Sequence, residues 1–335
     1  MKYLVVFMVM VLGLAGCGAA NSPATTAPAA PASGGAFLIG QQDDLWRFEL
    51  PSKQWTQVTR YAPNSAASQP AVSPDGTQVV YAYRPQLPTP SAAQPFVVPR
   101  TELQIVPVSG GSGTPLHPPL EGFDSLDQPA WSPDGTTIYA HRQILRFAPD
   151  GTFTGSGDVI VAVSVANQTI TTVISNALFP AIAPNGTTLA FVRVVQDRPQ
   201  LVVYDLARQT EQVLLADPNF AALEAPVWSA DGTTIYLAAS PIVLGHAVPA
   251  PLRWFAAESA SAHGLGWRLW RVDVAQKKGT ELNTQLFEDP RIVLNDTTLT
   301  VWTLSGLWQL DLRQPAAPPK LIIEPGDIGG IALLP

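Results

Sequence analysis

Six short stretches alternate apolar and polar positions with a period of two. They are LWRFEL (Leu45–Leu50), LQIVPV (Leu103–Val108), IVAVSV (Ile160–Val165), LVVYDL (Leu201–Leu206), LWRVDV (Leu269–Val274) and LWQLDL (Leu307–Leu312). Such alternation over six residues predicts half-buried strands. Each is followed by a polar gap and a further apolar run, as in TEQVLL (Thr210–Leu215) or KLII (Lys320–Ile323). A second phrase recurs between them: QPAVSPDGTQVVY (Gln69–Tyr81), QPAWSPDGTTIYA (Gln128–Ala140), FPAIAPNGTTLAF (Phe179–Phe191), APVWSADGTTIYL (Ala225–Leu237) and the divergent DPRIVLNDTTLTV (Asp289–Val301). The leading prolines lie 59, 51, 46 and 64 residues apart. Self-similarity at that period predicts a radial or stacked array of units that do not fold alone.

In Ser73-Pro74-Asp75-Gly76 the proline presets φ for the second turn position, aspartate suits the third, and glycine supplies a positive φ. The phrase is therefore a tight hairpin between two strands. Asp75, Asp134, Asn185, Asp231 and Asn295 share one repeat position. A ring of metal-binding carboxylates and a set of self-closing Asx turns are both open to that position. Asparagine at two of the five favours the turns.

The unit is thus four strands: innermost, hairpin, second, third, fourth. Six third strands stand against five hairpin phrases, and an orphan apolar run, Ile328–Leu334, closes the chain. The expected architecture is all-β, a propeller of six four-stranded blades. Its last blade takes its innermost strand from the C-terminus and its other three from Ala36–Thr59, which hides the edges an open array would expose.

The phrase P-x-W-S-P-D-G-T-x-[IL]-x-[YF], with third strands of the LWxxDL kind, resembles the WD40-like repeat of the TolB-type six-bladed propellers, over about residues 36–335. The resemblance implies the fold; related blades serve binding proteins, the Tol assembly and gating domains of peptidases alike, so it implies no single activity. No separate α/β domain is legible before the first blade, which speaks against a part in the Tol assembly.

At the N-terminus, Lys2 is followed by an apolar run from Tyr3 to Leu14 and then Leu14-Ala15-Gly16-Cys17. A charged start, a short apolar core and small residues at the cut predict an export signal over 1–16, too short for a comfortable membrane span. Leu-Ala-Gly-Cys resembles the bacterial lipoprotein box, in which the cysteine carries lipid, and Cys17 is the only cysteine. Residues 17–35, rich in Ala, Pro, Ser and Thr and without charge, read as a tether. The expected location is extracytoplasmic, lipid-anchored to a bacterial membrane.

Net charge is −7, with 19 basic residues against 26 acidic and no basic cluster. That excludes electrostatic binding of nucleic acid. The four histidines lack metal-ligand spacing, no G-x-S-x-G elbow exists, and no cofactor motif is present. His141, at the end of a second strand, reads as a packed or rim residue.

The second-to-third connections are expected to be long in three blades, Arg84–Arg100, Gln143–Gly157 and Ser240–Gly266, all on one face, where binding sites usually lie. The last carries His246, Leu252, Trp254 and Phe255. Just before the innermost strands, Gln69, Asp127, Gln128, Glu224, Glu288, Asp289 and Asp327 are expected at the channel mouth, with Arg84, Arg142 and Arg193 ending second strands nearby. The expected function is a protein- or peptide-binding or scaffold module working through this long-loop face. The alternative is a propeller hydrolase or lyase with an acidic site at the channel mouth.

Overall fold

The computed structural model describes residues 35–87, 89, 97–241, 266–327 and 329–334. Among these, six sheets of four antiparallel strands make up the fold. Blade 1 combines β1 (Ala36–Gln41), β2 (Asp44–Glu49) and β3 (Gln54–Gln57) with the C-terminal β24 (Ile331–Leu334). Blade 2 holds β4 (Ala66–Val72), β5 (Gln78–Arg84), β6 (Glu102–Pro107) and β7 (Thr114–Pro115). Blade 3 holds β8 (Ser125–Trp131), β9 (Thr137–Phe147), β10 (Phe153–Ser164) and β11 (Ile170–Ser175). Blade 4 holds β12 (Leu178–Ile182), β13 (Thr188–Val195), β14 (Arg198–Asp205) and β15 (Thr210–Leu215). Blade 5 holds β16 (Phe220–Trp228), β17 (Thr234–Pro241), β18 (Arg268–Asp273) and β19 (Lys278–Glu281); blade 6 holds β20 (Arg291–Asn295), β21 (Thr298–Thr303), β22 (Gly306–Asp311) and β23 (Lys320–Ile323).

The first strands touch in a closed circle, β24 to β4, β8, β12, β16, β20 and back to β24. Closure is as the strand count predicts: β24 runs antiparallel to β1, with Ala36 opposite Leu334 and Ile39 opposite Ile331. The core is six wedges, each between neighbouring blades. Between blades 4 and 5, for instance, Ala190, Leu201 and Val203 meet Phe220, Ile235 and Leu237; between blades 6 and 1, Trp302 and Leu307 meet Phe37, Ile39 and Phe48. A blade with two apolar faces has nowhere else to bury them, so the ring is stable only when complete.

Trp131 and Trp228 fill two of these wedges. Each also donates its indole N–H across the junction, to Ala71 O at 3.0 Å and to Ala181 O at 2.9 Å. Trp46, Trp270 and Trp308 are half-buried on third strands, Trp270 packing edge-on against Phe220 at 4.9 Å.

The repeated turn has the chemistry its residues dictate. Gly76 takes φ +70°, and its N–H donates to Ser73 O at 2.8 Å. Asp75 Oδ1 accepts from the Ser73 hydroxyl at 2.5 Å and the Thr77 N–H at 3.1 Å, and these donors hold its carboxyl below the usual range. Asp134, Asn185 and Asp231 do the same work in their blades. The position therefore closes turns. The fifth copy differs: lacking both Pro and Gly, it forms a tighter hairpin in which Asn295 belongs to the strand, opposite Thr298, and Asp296 takes the left-handed conformation.

Two expectations need correction. The segment Gln143–Gly157 is no loop: β9 and β10 continue as a paired ribbon to Phe147 opposite Phe153, turning at Pro149-Asp150-Gly151. The alternation is interrupted there by Gly155 and Gly157, which hid the strand. In blades 2 to 5 the innermost strands also begin earlier than the proline of the phrase. β8 starts at Ser125, so Asp127 and Gln128 lie inside it, and β16 starts at Phe220, so Glu224 does too.

Candidate functional site

Antiparallel order places the first-to-second and third-to-fourth turns of every blade on one face. The second-to-third connections and the crossings between blades lie on the other. This second, long-loop face holds most of the candidate residues.

At its centre, the residue before each repeat proline is left-handed: Gln69, Gln128, Phe179, Ala225 and Asp289 have φ between 47° and 55°. In four of these blades the strand pairing slips at this point, as between Asp127 and Ala130. A left-handed non-glycine residue costs on the order of 1–3 kcal/mol and persists only where its surroundings enforce it. Here hydrogen bonds between neighbouring blades supply that constraint, including Gln69 N–H to Gly329 O. Side chains then stitch the blades together: Gln128 N–H donates to Gln69 Oε1 at 2.7 Å and Phe179 N–H to Gln128 Oε1 at 2.8 Å. Gln69, Gln128, Phe179 and Ala225 with the prolines that follow them, together with Arg291, Gly330 and Ile331, line a central cavity of about 130 Å³.

Around this cavity the charged candidates are engaged within the fold. Asp127 Oδ1 lies 2.7 Å from His141 Nδ1, while Asp158 Oδ1 lies 2.9 Å from His141 Nε2. Burial alone would push this imidazole down. The Asp127 carboxylate, by charge and hydrogen bond, and then Asp158 outweigh it and carry the pKa up to about 10. His141 is therefore a buried cation held between two carboxylates. Because those carboxylates meet opposite ring nitrogens, the three share no common position for a metal, and no metal-binding group occurs among the described residues. One turn of strand away, Asp124 is wholly buried and accepts from Arg142 Nη2 at 2.6 Å and Arg146 Nη1 at 2.5 Å.

Across the cavity, Glu224 is buried with its Oε1 3.1 Å from Arg291 Nη1, an ion pair rather than an aligned hydrogen bond. Burial raises the Glu224 pKa, Arg291 opposes it, and the nearby Asp289 adds to the rise. Asp289 itself is buried. Asp327 Oδ2 accepts from Gln42 N–H at 2.9 Å. Arg193 forks onto Glu211 and donates to the carbonyls of Ser175 and Asn176, clasping blade 3 to blade 4. His246, Leu252, Trp254, Phe255 and Cys17 lie outside the described residues.

No family model and no curated protein matches the sequence. Solved structures do match. TolB from Acinetobacter baumannii aligns with a TM-score of 0.61 at 16% identity, over 90% of this chain and 67% of that one. A chain of a nidogen/laminin complex gives 0.61 at 13% identity, over 90% and 98%. The tricorn protease gives 0.52 at 13%, over 89% of this chain and 30% of that one. The chain shares the six-bladed fold of TolB. Identities this low speak for the fold alone.

Sequence reasoning placed Asp127, Gln128, Glu224 and Asp289 at the channel mouth; in the structure Gln128 lines the central cavity, Asp127 and Glu224 meet His141 and Arg291 within the fold, and Asp289 is buried. Sequence reasoning missed Asp158, which with Asp127 holds His141, Asp124 and Arg146, which meet with Arg142, and Arg291, the partner of Glu224. It also missed an apolar surface. Seven large apolar side chains are more than a third exposed among the described residues, and five of them lie towards the long-loop face: Phe153, Val194 and Val195 at strand ends there, Leu87 on a second-to-third connection and Leu286 on a crossing between blades. Only Val213 and Leu321 sit on outer strands. The available signal was the paired Val194-Val195 just before the polar Gln196-Asp197 turn.

Proposed function

We propose that the chain is an exported propeller, lipidated at Cys17 and tethered through residues 17–35, that binds a protein or peptide partner through its long-loop face. The carrying observation is the gathering of exposed apolar side chains on that face and their scarcity elsewhere. Apolar residues scattered singly need no explanation, but grouped on one side of a rigid scaffold they mark a contact surface. The proposal extends to His246, Leu252, Trp254 and Phe255, which follow β17 in the sequence and lie outside the described residues. The TolB-like fold is compatible with an extracytoplasmic setting.

Hydrolase or lyase chemistry at the channel mouth finds less support. An acid–base pair must reach its substrate, whereas Asp127 serves His141, Glu224 serves Arg291 and Asp327 caps Gln42.

One experiment tests both halves of the proposal. Full-length chain with Ala247–His263 replaced by a short Gly-Ser bridge is expected to stay in the membrane pellet, melt within a few degrees of the wild type, and lose partner capture. Cys17→Ser in the same series is expected to leave the pellet while keeping its melting temperature. A deletion variant that melts far lower would make this segment part of the core and remove the binding argument. A Cys17→Ser protein still pelleting after a high-salt wash would overturn the anchor.

A further inference from the structure

Blade 3 carries a strand edge that no described strand covers. Above Ser125 opposite Gln143, β9 has no inner neighbour, and beyond Val159 opposite Ser175, β10 has no outer one among the described residues. What rises is a two-stranded ribbon, Gln143–Phe147 against Phe153–Asp158. Such ribbons are marginal alone, and this one is braced. Arg142 and Arg146 reach from β9 to the buried Asp124 at its foot. Phe147 packs edge-on against Phe123 at 4.9 Å and Phe153 at 5.6 Å. Two arginines and an aromatic stack thus hold the ribbon to the foot of the blade.

Its two edges differ. On the inner side the Leu145 carbonyl accepts from Arg146 Nη1 at 3.0 Å. On the outer side Ala177 N–H donates to Asp158 O at 3.3 Å. The backbone groups of Asp158 therefore turn outward, and those of Ser156, two residues along the same strand, turn outward as well. No described strand lies beyond them. Proteins usually protect such an edge with Lys, Pro or charge. The neighbouring hairpin does so: β14 begins Arg198-Pro199, and Arg198 Nη1 covers the Pro218 carbonyl at 2.5 Å. β10 instead offers Thr154-Gly155-Ser156-Gly157, without charge or proline. Gly155 and Gly157 share one ribbon face, at extended φ, and a side chain added at either would meet no described atom within 4 Å. Nothing in the packing of the described residues asks for glycine at Gly157, whereas close approach by another backbone does. Edge glycines are also the places where a bulky side chain from a neighbouring strand settles.

We propose that the outer edge of β10 at Ser156 accepts an extended peptide segment of the partner as an added strand, with an aromatic or bulky apolar side chain lying over Gly155 and Gly157. This rests on the binding function proposed above and names its mode: main-chain hydrogen bonds for affinity, alternate side chains for selectivity.

The test uses a random linear peptide library panned against the immobilised full chain, followed by affinity measurement of the enriched peptides by fluorescence polarisation. The expected peptides carry an aromatic or large apolar residue at alternate positions. Their affinity should fall at least about tenfold for Ser156→Pro, which removes the outward N–H, and likewise for Gly157→Val, which fills the strip. Ser156→Ala should bind as the wild type does, and alternate N-methylation of the peptide should abolish binding. Melting temperatures of all three variants establish that the fold is kept; were Ser156→Pro to unfold, N-methylation and Gly157→Val carry the test. Peptides whose binding ignores Ser156→Pro, Gly157→Val and N-methylation but falls when Ala247–His263 is deleted would overturn strand addition and leave the long-loop binding face standing. Failure to enrich any peptide would overturn strand addition, and partner capture by the deletion series would then decide the wider proposal separately.

Discussion

Gly40→Ala is expected to unfasten the ring. A methyl group at Gly40 would lie 2.2 Å from Gly329 O, and one at Gly329 would lie 2.3 Å from Gly40 O, so the two backbones abut with no side chain able to yield. The contact sits where β1 meets the approach to β24, and it is flanked by hydrogen bonds from Gly40 N–H to Gly330 O at 2.9 Å and from Gln69 N–H to Gly329 O at 2.5 Å. Gly330 holds φ +89°, with its would-be Cβ 2.8 Å from Gln69 Cα. Spreading this seam separates β24 from both β1 and the first strand of blade 2, and each blade depends on its neighbours for burial. The loss should be on the order of 3 kcal/mol, the upper part of the usual cost of overpacking, because neither backbone can yield. Urea unfolding checks it, with Gly157→Ala, where the added methyl meets no described atom, changing stability by less than about 0.5 kcal/mol. A Gly40→Ala protein as stable as this control would show that the seam does not hold the ring.

His141→Gln should remove a stabilisation that depends on pH. In the folded chain the imidazole titrates at about 10, against 6.5 for an unperturbed histidine. Folding therefore raises its proton affinity. The stability contributed is fully present below about pH 6.5 and is lost as pH climbs towards 10. Breaking one partner out of a buried ionic cluster costs about 3 kcal/mol or more, because Asp127 and Asp158 are left buried without their cation. The stability gap between wild type and His141→Gln should be widest near pH 6 and narrow steadily above it. A gap that widens with rising pH would mean that His141 is neutral in the folded chain.

The fold was legible because each blade repeats its own instructions. Alternating third strands, turn phrases in phase and the imbalance of six against five led to the blade count and the closing strand. The ribbon of blade 3 was hidden because glycines break the apolar alternation that marks a strand. The fifth turn was misaligned because losing Pro and Gly changes the turn type. The candidate site was legible only in part. Position relative to the repeat proline identified Gln69 and Gln128, which line the central cavity, since their blades deliver the residue before the proline to the centre. The engagement of His141 could not be read, because Asp127 and Asp158 come from two different strands and meet it only through register. The exposed apolar group comes from several blades, each contributing one or two residues that look unremarkable in their own segment.

The central claim is that one face of the ring receives the partner. Photo-crosslinking from single sites tests it most directly, with p-benzoylphenylalanine placed at Val194 on the long-loop face or at Ala207 on the opposite face of the same blade. Both positions are exposed, so geometry rather than access separates them. In cells that make the full chain, Val194 should yield a discrete crosslinked protein species and Ala207 none. Crosslinks from Ala207 with none from Val194 would place the partner on the turn face and contradict the account.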